Sequence, residues 1–311
     1  MRRTQAWKNF NLGQELHISG AFIYNGLRRF HEMRVLDNTD EIFEVLYNLS
    51  VGFERLLKIA VVLVEHNEAT DQGVLEKSLI THNHLDLLQR VKQRAKINLD
   101  RPYNEFLGLL GTFYKTLRYD RFTISSVYDP DKEREAFCRF LGKHLQVNLE
   151  RSTSLLGTRN DVRYRNYIRK IVTKISSVLY EVVRTSASDL NLYTYELRHG
   201  SRAETIFLDQ ANLHSEEVLW KELLVFFMNT KSSSGLLEFL RTIEPLDFDP
   251  ELADDYLECF QSDAAKAFVV GELEHLYGER TDAGERLETM KLIGNPNVFF
   301  GSPDSEEEPL S

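Results

Sequence analysis

Apolar residues recur along this chain at the spacing of an α-helix. In the segment "LGQELHISGAFIYNGLRRFHEM", Leu16, Ile23, Leu27 and Phe30 follow one another at helical intervals. Residues at such intervals fall on one face of a helix. The pattern therefore predicts an amphipathic helix with one buried side.

The segment that follows predicts a central helix. It opens with "NTDE", in which Asn38 is a capping residue and Glu41 is placed to reach back in a capping box. It continues through "IFEVLYNLSVGFERLLKIAVVLVEHN", whose second half is apolar on most sides. At about 1.5 Å per residue this helix would be about 40 Å long. A helix that is apolar all round belongs in the middle of a bundle.

Similar stripes occur in most of the remaining chain. They lie in "HNHLDLLQRVKQRAKI", "YNEFLGLLGTFYKTLRYDRF" and "PDKEREAFCRFLGKHLQV", in a long segment over 159–184, and in shorter ones beyond residue 214. Residues 185–215 stay open between helix and strand, because "AETIFLDQANL" fits either. The predicted fold is all-α.

The domain organisation follows from where the periodicity weakens. The stretch "QVNLERSTSLLGTRND" loses its helical pattern and places a soft boundary near residues 146–160. We therefore predict a helical bundle over 1–150, a C-terminal helical region over 151–300 and a disordered acidic tail over 301–311.

Composition supports a folded, helical protein. A hydrophobic fraction of 42% is typical of a globular chain, and 7 prolines with 16 glycines are few for 311 residues. The 2 cysteines, Cys138 and Cys259, are far apart, which argues against a disulfide framework or a zinc site. The N-terminus lacks the apolar run of a signal peptide, and "IAVVLV" is too short to cross a membrane. We predict a cytoplasmic protein.

Charge is distributed unevenly. From Thr242 to Ser311 there are eighteen Asp and Glu against four Lys and Arg, which gives this part a net charge of −14. The whole chain has a net charge of −10, so residues 1–241 carry +4. A mildly basic body permits contact with polyanions, whereas the acidic end discourages it.

Two neighbouring segments resemble the HEPN superfamily. The central helix contains "LSVGFERLLKIAVVL", and "ITHNHLDLLQRV" follows after a polar loop. Gly52, Glu54, Leu56, Leu57 and Lys58 match the Gly-x-Glu-x-Leu-Leu-Lys helix of that superfamily. Its second element, a Thr-His-Asp-Leu type of helix start, is matched by Thr81, His82, Asn83 and Leu87. The resemblance covers roughly residues 38–122.

What the resemblance implies is an all-helical bundle of a kind found in bacterial toxin and antiviral systems, often as a ribonuclease or an RNA-associated module. The HEPN active site pairs an arginine with a histidine, with four to six residues between them. There, histidine moves a proton and arginine stabilises charge on the phosphoryl group. In the expected position this chain has "LRYDRF", with Arg118 and Arg121 but no histidine. The resemblance therefore implies a degenerate, non-cleaving domain.

The two arginines have two interpretations. Arg118 and Arg121 share a helix face, where they can contact an anion or RNA. Alternatively they are structural, with Tyr114 stacking on Arg118 and with Asp120 or Glu54 pairing with either arginine.

A formal Arg-x₄-His match occurs at "RFLGKH". Its Arg139 and His144 are the candidate catalytic pair, although Phe140 stands where the HEPN pattern is usually polar. The alternative interpretation is a solvated helix face.

A further basic group lies on the predicted helix over 159–184. Arg159, Arg163, Lys170 and Lys174 follow one edge, and such an edge can track a phosphate backbone. The same residues are also what a helix at the border of a bundle core would present to water.

No motif predicts a cofactor or a metal. The chain has no phosphate-binding loop, no Gly-x-Gly-x-x-Gly and no Gly-x-Ser-x-Gly. Glu196 with His199 and Glu272 with His275 form Glu-x-x-His pairs, but nothing identifies the two further glutamates that a di-iron bundle needs.

The sequence thus predicts an RNA-associated or partner-binding module, with the resemblance implying a role in bacterial antiviral or stress defence and a possible homodimer. One alternative is a metal-independent ribonuclease that uses Arg118, Arg121 or Arg139 with His144 or His82. Another is a helical scaffold whose acidic C-terminal region docks on a basic protein partner.

Overall fold

The computed structural model describes residues 3–128, 131–149, 157–208, 213–232, 234–260 and 263–301. Within these ranges the chain forms helices and no β-strand, which confirms the all-α prediction. The predicted disordered tail falls outside the described residues from Ser302 onward.

The N-terminal unit, residues 1–213, is built around one long helix. A short helix, Arg3–Ala6, and a π-helical turn, Trp7–Asn11, lead into α1 (Leu12–Glu32). The other helices are α2 (Thr39–Glu65), α3 (Gln72–Ser78), α4 (His84–Arg94), α5 (Arg101–Thr112), α6 (Lys132–Leu145), α7 (Val162–Asp189) and α8 (Arg202–Phe207). Between α5 and α6 come a π-helix (Phe113–Leu117) and a short turn of α-helix (Arg118–Asp120).

Helix α2 is the predicted central helix. Asn38 caps it by accepting a hydrogen bond from the Glu41 N–H, as its sequence predicts. The Glu41 carboxylate, however, lies 3.4 Å from the Arg29 guanidinium rather than returning to the cap. The helix packs against α1, α4 and α7, and Phe53, Leu56 and Leu57 are fully buried. Burial on several sides explains why its second half is apolar all round.

The packing of α1 on α2 depends on a glycine. Ser19 of α1 is buried and donates a hydrogen bond to the Gly52 carbonyl of α2 at 2.8 Å. A Cβ atom on Gly52 would lie 2.6 Å from Ile23 Cγ1 and 3.0 Å from the Ile23 backbone nitrogen. Only a residue without a side chain permits the two backbones to approach this closely.

Helix α7 begins later than its sequence pattern predicts. The prediction starts it at Arg159, whereas it runs over Val162–Asp189. Arg159 instead forms an antiparallel bridge with Val35. Asn160 is buried and donates to the carbonyls of Phe30 and Met33 at 2.8 and 2.9 Å, and Asp161 caps the helix. These contacts hold 159–161 in extended conformation against the end of α1.

The boundary between the two units lies later in the chain than the sequence pattern predicts. The periodicity places a boundary at 146–160, of which 150–156 lie outside the described residues, whereas the compact units divide after Leu213. Helix α7 buries Ile168, Val172 and Ile175 in the same core as α1 and α2. A loss of helical pattern in a loop therefore does not mark the end of this core. Residues 185–215, left open by the sequence, are helical over the end of α7 and α8, and 209–212 lie outside the described residues.

The C-terminal unit, residues 214–311, contains a second group of helices. They are α9 (Leu213–Asn229), α10 (Gly235–Thr242), α11 (Ala253–Glu258), α12 (Asp263–Glu279) and α13 (Ala283–Met290). Leu237 is buried here, whereas Leu219, Phe227 and Met228 of α9 are exposed. None of the described helices in the chain is both long and apolar enough to span a membrane.

Candidate functional site

The central helix α2 and the loop before α4 meet in the structure. His82 Nδ1 lies 2.9 Å from Glu54 Oε2, across 28 residues of sequence. The other oxygen of Glu54 accepts a hydrogen bond from Lys58 Nζ at 2.5 Å, one helical turn further along α2. The Glu54 side chain is only 10% exposed, whereas His82 is 48% exposed. A buried carboxylate thus holds a histidine at the surface.

The start of α4 fixes the position of His82. Asn83 caps α4 by accepting from the Asp86 N–H. His84 is fully buried, and its Nε2 lies 2.8 Å from the Ser50 carbonyl of α2. Its Nδ1 lies 3.2 Å from the His82 carbonyl, and burial lowers the pKa of His84. His84, two residues after His82, therefore holds this loop against the central helix.

A π-helix places the aromatic and cationic members of the site. The Arg118 backbone N–H donates to the Phe113 carbonyl, five residues back, instead of to Tyr114. The Tyr114 carbonyl then accepts from Arg118 Nε. The guanidinium lies over the Tyr114 ring at 3.8 Å from its centroid and 4.4 Å from that of Tyr119. The contact with Tyr114 is the one that the structural interpretation of Arg118 predicts. π-helical turns of this kind occur frequently at functional sites.

His82 and Arg118 approach the same tyrosine from two elements. The His82 ring stands edge-on to Tyr114 with 5.0 Å between centroids. Tyr47 of α2, itself part-exposed, lies 5.9 Å from Tyr114. Burial raises the pKa of the Tyr114 hydroxyl, with Arg118 acting in the opposite direction. We call the group Tyr47, His82, Tyr114, Arg118 and Tyr119 the aromatic–arginine cluster.

This cluster combines the groups needed to hold a phosphodiester. Arg118 supplies a fixed cation, and the exposed rings of Tyr47 and Tyr119 supply stacking surfaces for bases. Because Glu54 accepts from the Nδ1–H of His82, the neutral ring carries its lone pair on Nε2. Nε2 has no hydrogen-bond partner among the described residues, so it is free to accept a proton.

Arg121 is engaged elsewhere. It donates to the buried Glu133 at 2.9 Å and to Asp40 at 3.0 Å. It lines an acidic cavity of about 370 Å³ that includes Asp37 and Asp131. The two arginines of "RYDRF" thus have different surroundings, and the partners of Arg121 are neither Asp120 nor Glu54. Because two carboxylates already neutralise Arg121, this arginine suits a structural role better than Arg118 does.

The structure does not bring Arg139 and His144 together. Five residues on a helix are about 140° apart, and Arg139 is 78% exposed beside Glu135. His144 packs on Phe140 and lies 2.9 Å from Glu105.

Glu105 is a fixed anion at this point. Lys143, then Arg101 and His144, hold its pKa at about 2. His144 is therefore one of several groups around a surface carboxylate, which accounts for its position without a catalytic role.

The predicted basic edge of α7 is shorter than its sequence pattern suggests. Arg163, Lys170 and Lys174 share one exposed face of α7, but Arg159 lies before the helix. Arg163 donates to the Leu145 carbonyl at 2.8 Å. The side chains of Lys170 and Lys174 are exposed and form no hydrogen bond or ion pair with another described residue.

The Glu-x-x-His pairs have ordinary polar partners. Glu196 accepts from the Ala203 N–H, His199 lies 3.1 Å from Glu204, and His275 lies 3.5 Å from Glu279. Across the described part of the chain, no three His, Cys, Asp or Glu side chains are grouped so that they could hold a metal ion.

Two members of the aromatic–arginine cluster, Tyr47 and Tyr119, were not predicted from the sequence. Tyr47 lies seven residues before Glu54 and therefore on the same face of α2, which is a weak but available signal. Tyr119 directly follows Arg118, but its contact with that guanidinium depends on the π-helical turn.

No family model, curated protein or solved structure matches this chain. The HEPN resemblance over 38–122 therefore rests on its residues alone and stays a prediction.

Proposed function

We propose that this protein binds single-stranded RNA at the aromatic–arginine cluster. The observation that carries the proposal is the stacking of the Arg118 guanidinium on Tyr114, with His82 at the edge of the same ring. An arginine held in this way loses little conformational freedom on meeting a phosphate. Neighbouring tyrosines offer faces to unpaired bases, which are accessible in single strands and hidden in duplexes.

The exposed lysines of α7 offer a second contribution to RNA affinity. Lys170 and Lys174 can attract the backbone without sequence preference, and that attraction weakens as salt rises. The resemblance to HEPN proteins is a further support for RNA and would place this function in bacterial antiviral or stress defence.

Binding is measured by the fluorescence anisotropy of a short labelled RNA, in EDTA, at about 50 mM and about 200 mM NaCl. We expect Arg118→Gln to raise the Kd about tenfold at low salt and to reduce the salt slope by about one, as expected when one phosphate contact is lost. Arg139→Gln removes the same charge from an exposed arginine outside the cluster and should leave the Kd within about twofold.

An equal loss in both variants would mean that charge alone attracts RNA. Absence of binding at low salt in the unaltered chain would overturn the proposal.

A second candidate function is metal-independent RNA cleavage, which the Glu54–His82 hydrogen bond favours. The non-cleaving prediction depends on the lack of a histidine on the arginine helix, but His82 approaches Tyr114 from the start of α4 instead. In this reaction His82 Nε2 takes the proton of a ribose 2′-hydroxyl, and the oxygen attacks the adjacent phosphorus. The bond to the 5′-oxygen breaks, leaving a 2′,3′-cyclic phosphate, and water protonates the leaving oxygen. Arg118 stabilises the charge on the phosphoryl oxygens.

Cleavage is tested with total RNA in EDTA. If it occurs, His82→Asn should lower its rate by about 10²-fold or more, because general base catalysis contributes about that much. Glu54→Gln keeps a side chain of the same size but removes the carboxylate that orients His82, and should lower the rate about tenfold.

His144→Asn tests the competing pair and should have no effect on cleavage. RNA binding without cleavage by the unaltered chain would reject this second function and leave the binding function intact.

A further inference from the structure

A separate cleft lies at the far end of α2, about 18 Å along the helix from Glu54 at 1.5 Å per residue. It has a volume of about 1000 Å³ and lies between the N-terminal π-helix, the end of α2 and the segment after α7. Its apolar lining includes Trp7, Phe10, Leu190 and Leu192. The volume is at the upper end of the range for small-molecule sites.

A buried amine faces this cleft. Lys8 is only 7% exposed, although lysine is rarely buried without a charged partner. Its Nζ donates a single hydrogen bond, to the His66 carbonyl at 3.0 Å. An ammonium has three donors, so two are left without a partner among the described residues. Burial lowers the pKa of Lys8, and an anion placed against the amine would offset that desolvation.

A second buried polar group lies beside the amine. His66 ends α2, is only 8% exposed and lines the same cleft. Its Nδ1 has no hydrogen-bond partner in the part of the chain that the structure describes, and its ring meets Trp7 edge-on with 5.5 Å between centroids. Buried polar atoms are normally paired, so unpaired groups beside a cavity indicate a missing ligand.

The charges around the cleft limit which class of ligand it can bind. Arg3 and Lys8 are balanced by Glu68 and Glu76, which also line it. Two carboxylates in the lining would repel a dianion such as phosphate, whereas a single negative charge can pair with Lys8. The apolar wall requires a ligand with an apolar body.

We propose that this cleft binds a small monocarboxylate, with the carboxylate paired to the Lys8 ammonium and the apolar body packed against Trp7, Leu190 and Leu192. The site is distinct from the aromatic–arginine cluster and does not depend on RNA binding.

The test is calorimetric titration of the full chain with 3-phenylpropionate, with 3-phenylpropanol as its uncharged counterpart and with inorganic phosphate. Trp7 fluorescence in a Trp220→Phe background reports binding independently. We expect the acid to bind at least about tenfold more tightly than the alcohol, and phosphate not to bind, as a charge-assisted hydrogen bond predicts.

The matched variants are Lys8→Met and Lys77→Met. Lys8→Met should reduce the affinity for the acid to that for the alcohol, whereas Lys77, exposed on α3 and outside the cleft, should be replaceable without effect. Equal affinity for acid and alcohol, phosphate binding as tightly as the acid, or no binding of either organic ligand would overturn the proposal. The acid and alcohol are compared on the unaltered chain, so the test holds even where Lys8→Met does not fold.

Discussion

Replacing Arg134 by methionine should destabilise the N-terminal unit by about 3 kcal/mol, because it leaves a partly buried carboxylate without its cation. Arg134 lies on α6 and is only 3% exposed. It donates to the Leu36 carbonyl at 3.1 Å and to Asp37 at 2.6 Å, and so fastens α6 to the loop between α1 and α2. Methionine fills much of the same space but replaces none of these hydrogen bonds.

The effect of Arg134→Met should depend on pH in a defined direction. Burial on its own raises the pKa of Asp37, but the Thr158 N–H and Arg134 more than offset this and hold the pKa below its usual value. A carboxylate with a lowered pKa in the folded state stabilises the fold above its unfolded pKa of about 3.9, and that contribution fades at more acidic pH. The difference between the two proteins should therefore persist at neutral pH and shrink below about pH 4.

Urea denaturation measures this prediction. The chain has 2 tryptophans, Trp7 in the N-terminal unit and Trp220 in the other, so a Trp220→Phe background makes the fluorescence specific to the N-terminal unit. Arg139→Met is the matched control, since Arg139 lies on the same helix and is exposed. It should change the free energy of unfolding by no more than about 0.5 kcal/mol. Equal effects of the two substitutions would show that the Arg134 contacts do not stabilise the fold.

The second large effect is expected from Gly52→Ala, which should destabilise the same unit by about 2 kcal/mol. Alanine is the better helix former by about 1 kcal/mol, so helix propensity predicts a gain. We expect packing to outweigh this gain, because the added Cβ would lie 3.0 Å from the Ile23 backbone nitrogen. Backbone atoms, unlike a side chain, cannot rotate away from such a contact. Helices α1 and α2 would have to separate along their interface.

The substitution Gly108→Ala separates the contribution of helix propensity from that of packing. Gly108 lies within α5, and a Cβ there would meet only the end of the Leu85 side chain, at 3.4 Å. This substitution should stabilise the unit by about 0.5–1 kcal/mol. The same denaturation measurement applies to both glycines, and a gain in stability from Gly52→Ala would contradict the close approach of α1 and α2.

Local features of the fold were predictable from the sequence. The central helix follows from its apolar pattern, and Asn38 caps it as its position indicates. Helical spacing and capping are local properties, because each depends on residues within one or two turns of one another. The start of α7 was not predictable in this way. Asn160 is held extended by the carbonyls of Phe30 and Met33, which lie far back in the chain.

In the candidate site, too, some features were predictable from the sequence and others depend on contacts between distant residues. The sequence identified Glu54, His82 and Arg118 separately, together with Arg139 and His144, whose spacing fitted the HEPN pattern better. Helical geometry and packing place His144 beside Glu105 and direct Arg121 towards Glu133. The π-helical turn then sets Arg118 on Tyr114, within reach of the element that carries His82.

By itself the sequence determined that this protein is helical, where its central helix lies and how that helix begins. Only the tertiary structure decided that Glu54 holds His82, that Arg118 and Arg121 have different surroundings, and that one core continues through α7 to Phe207. The physical reason is the range of the interactions. Backbone hydrogen bonds and apolar stripes are fixed by near neighbours, whereas the contacts that form a site depend on how distant helices pack.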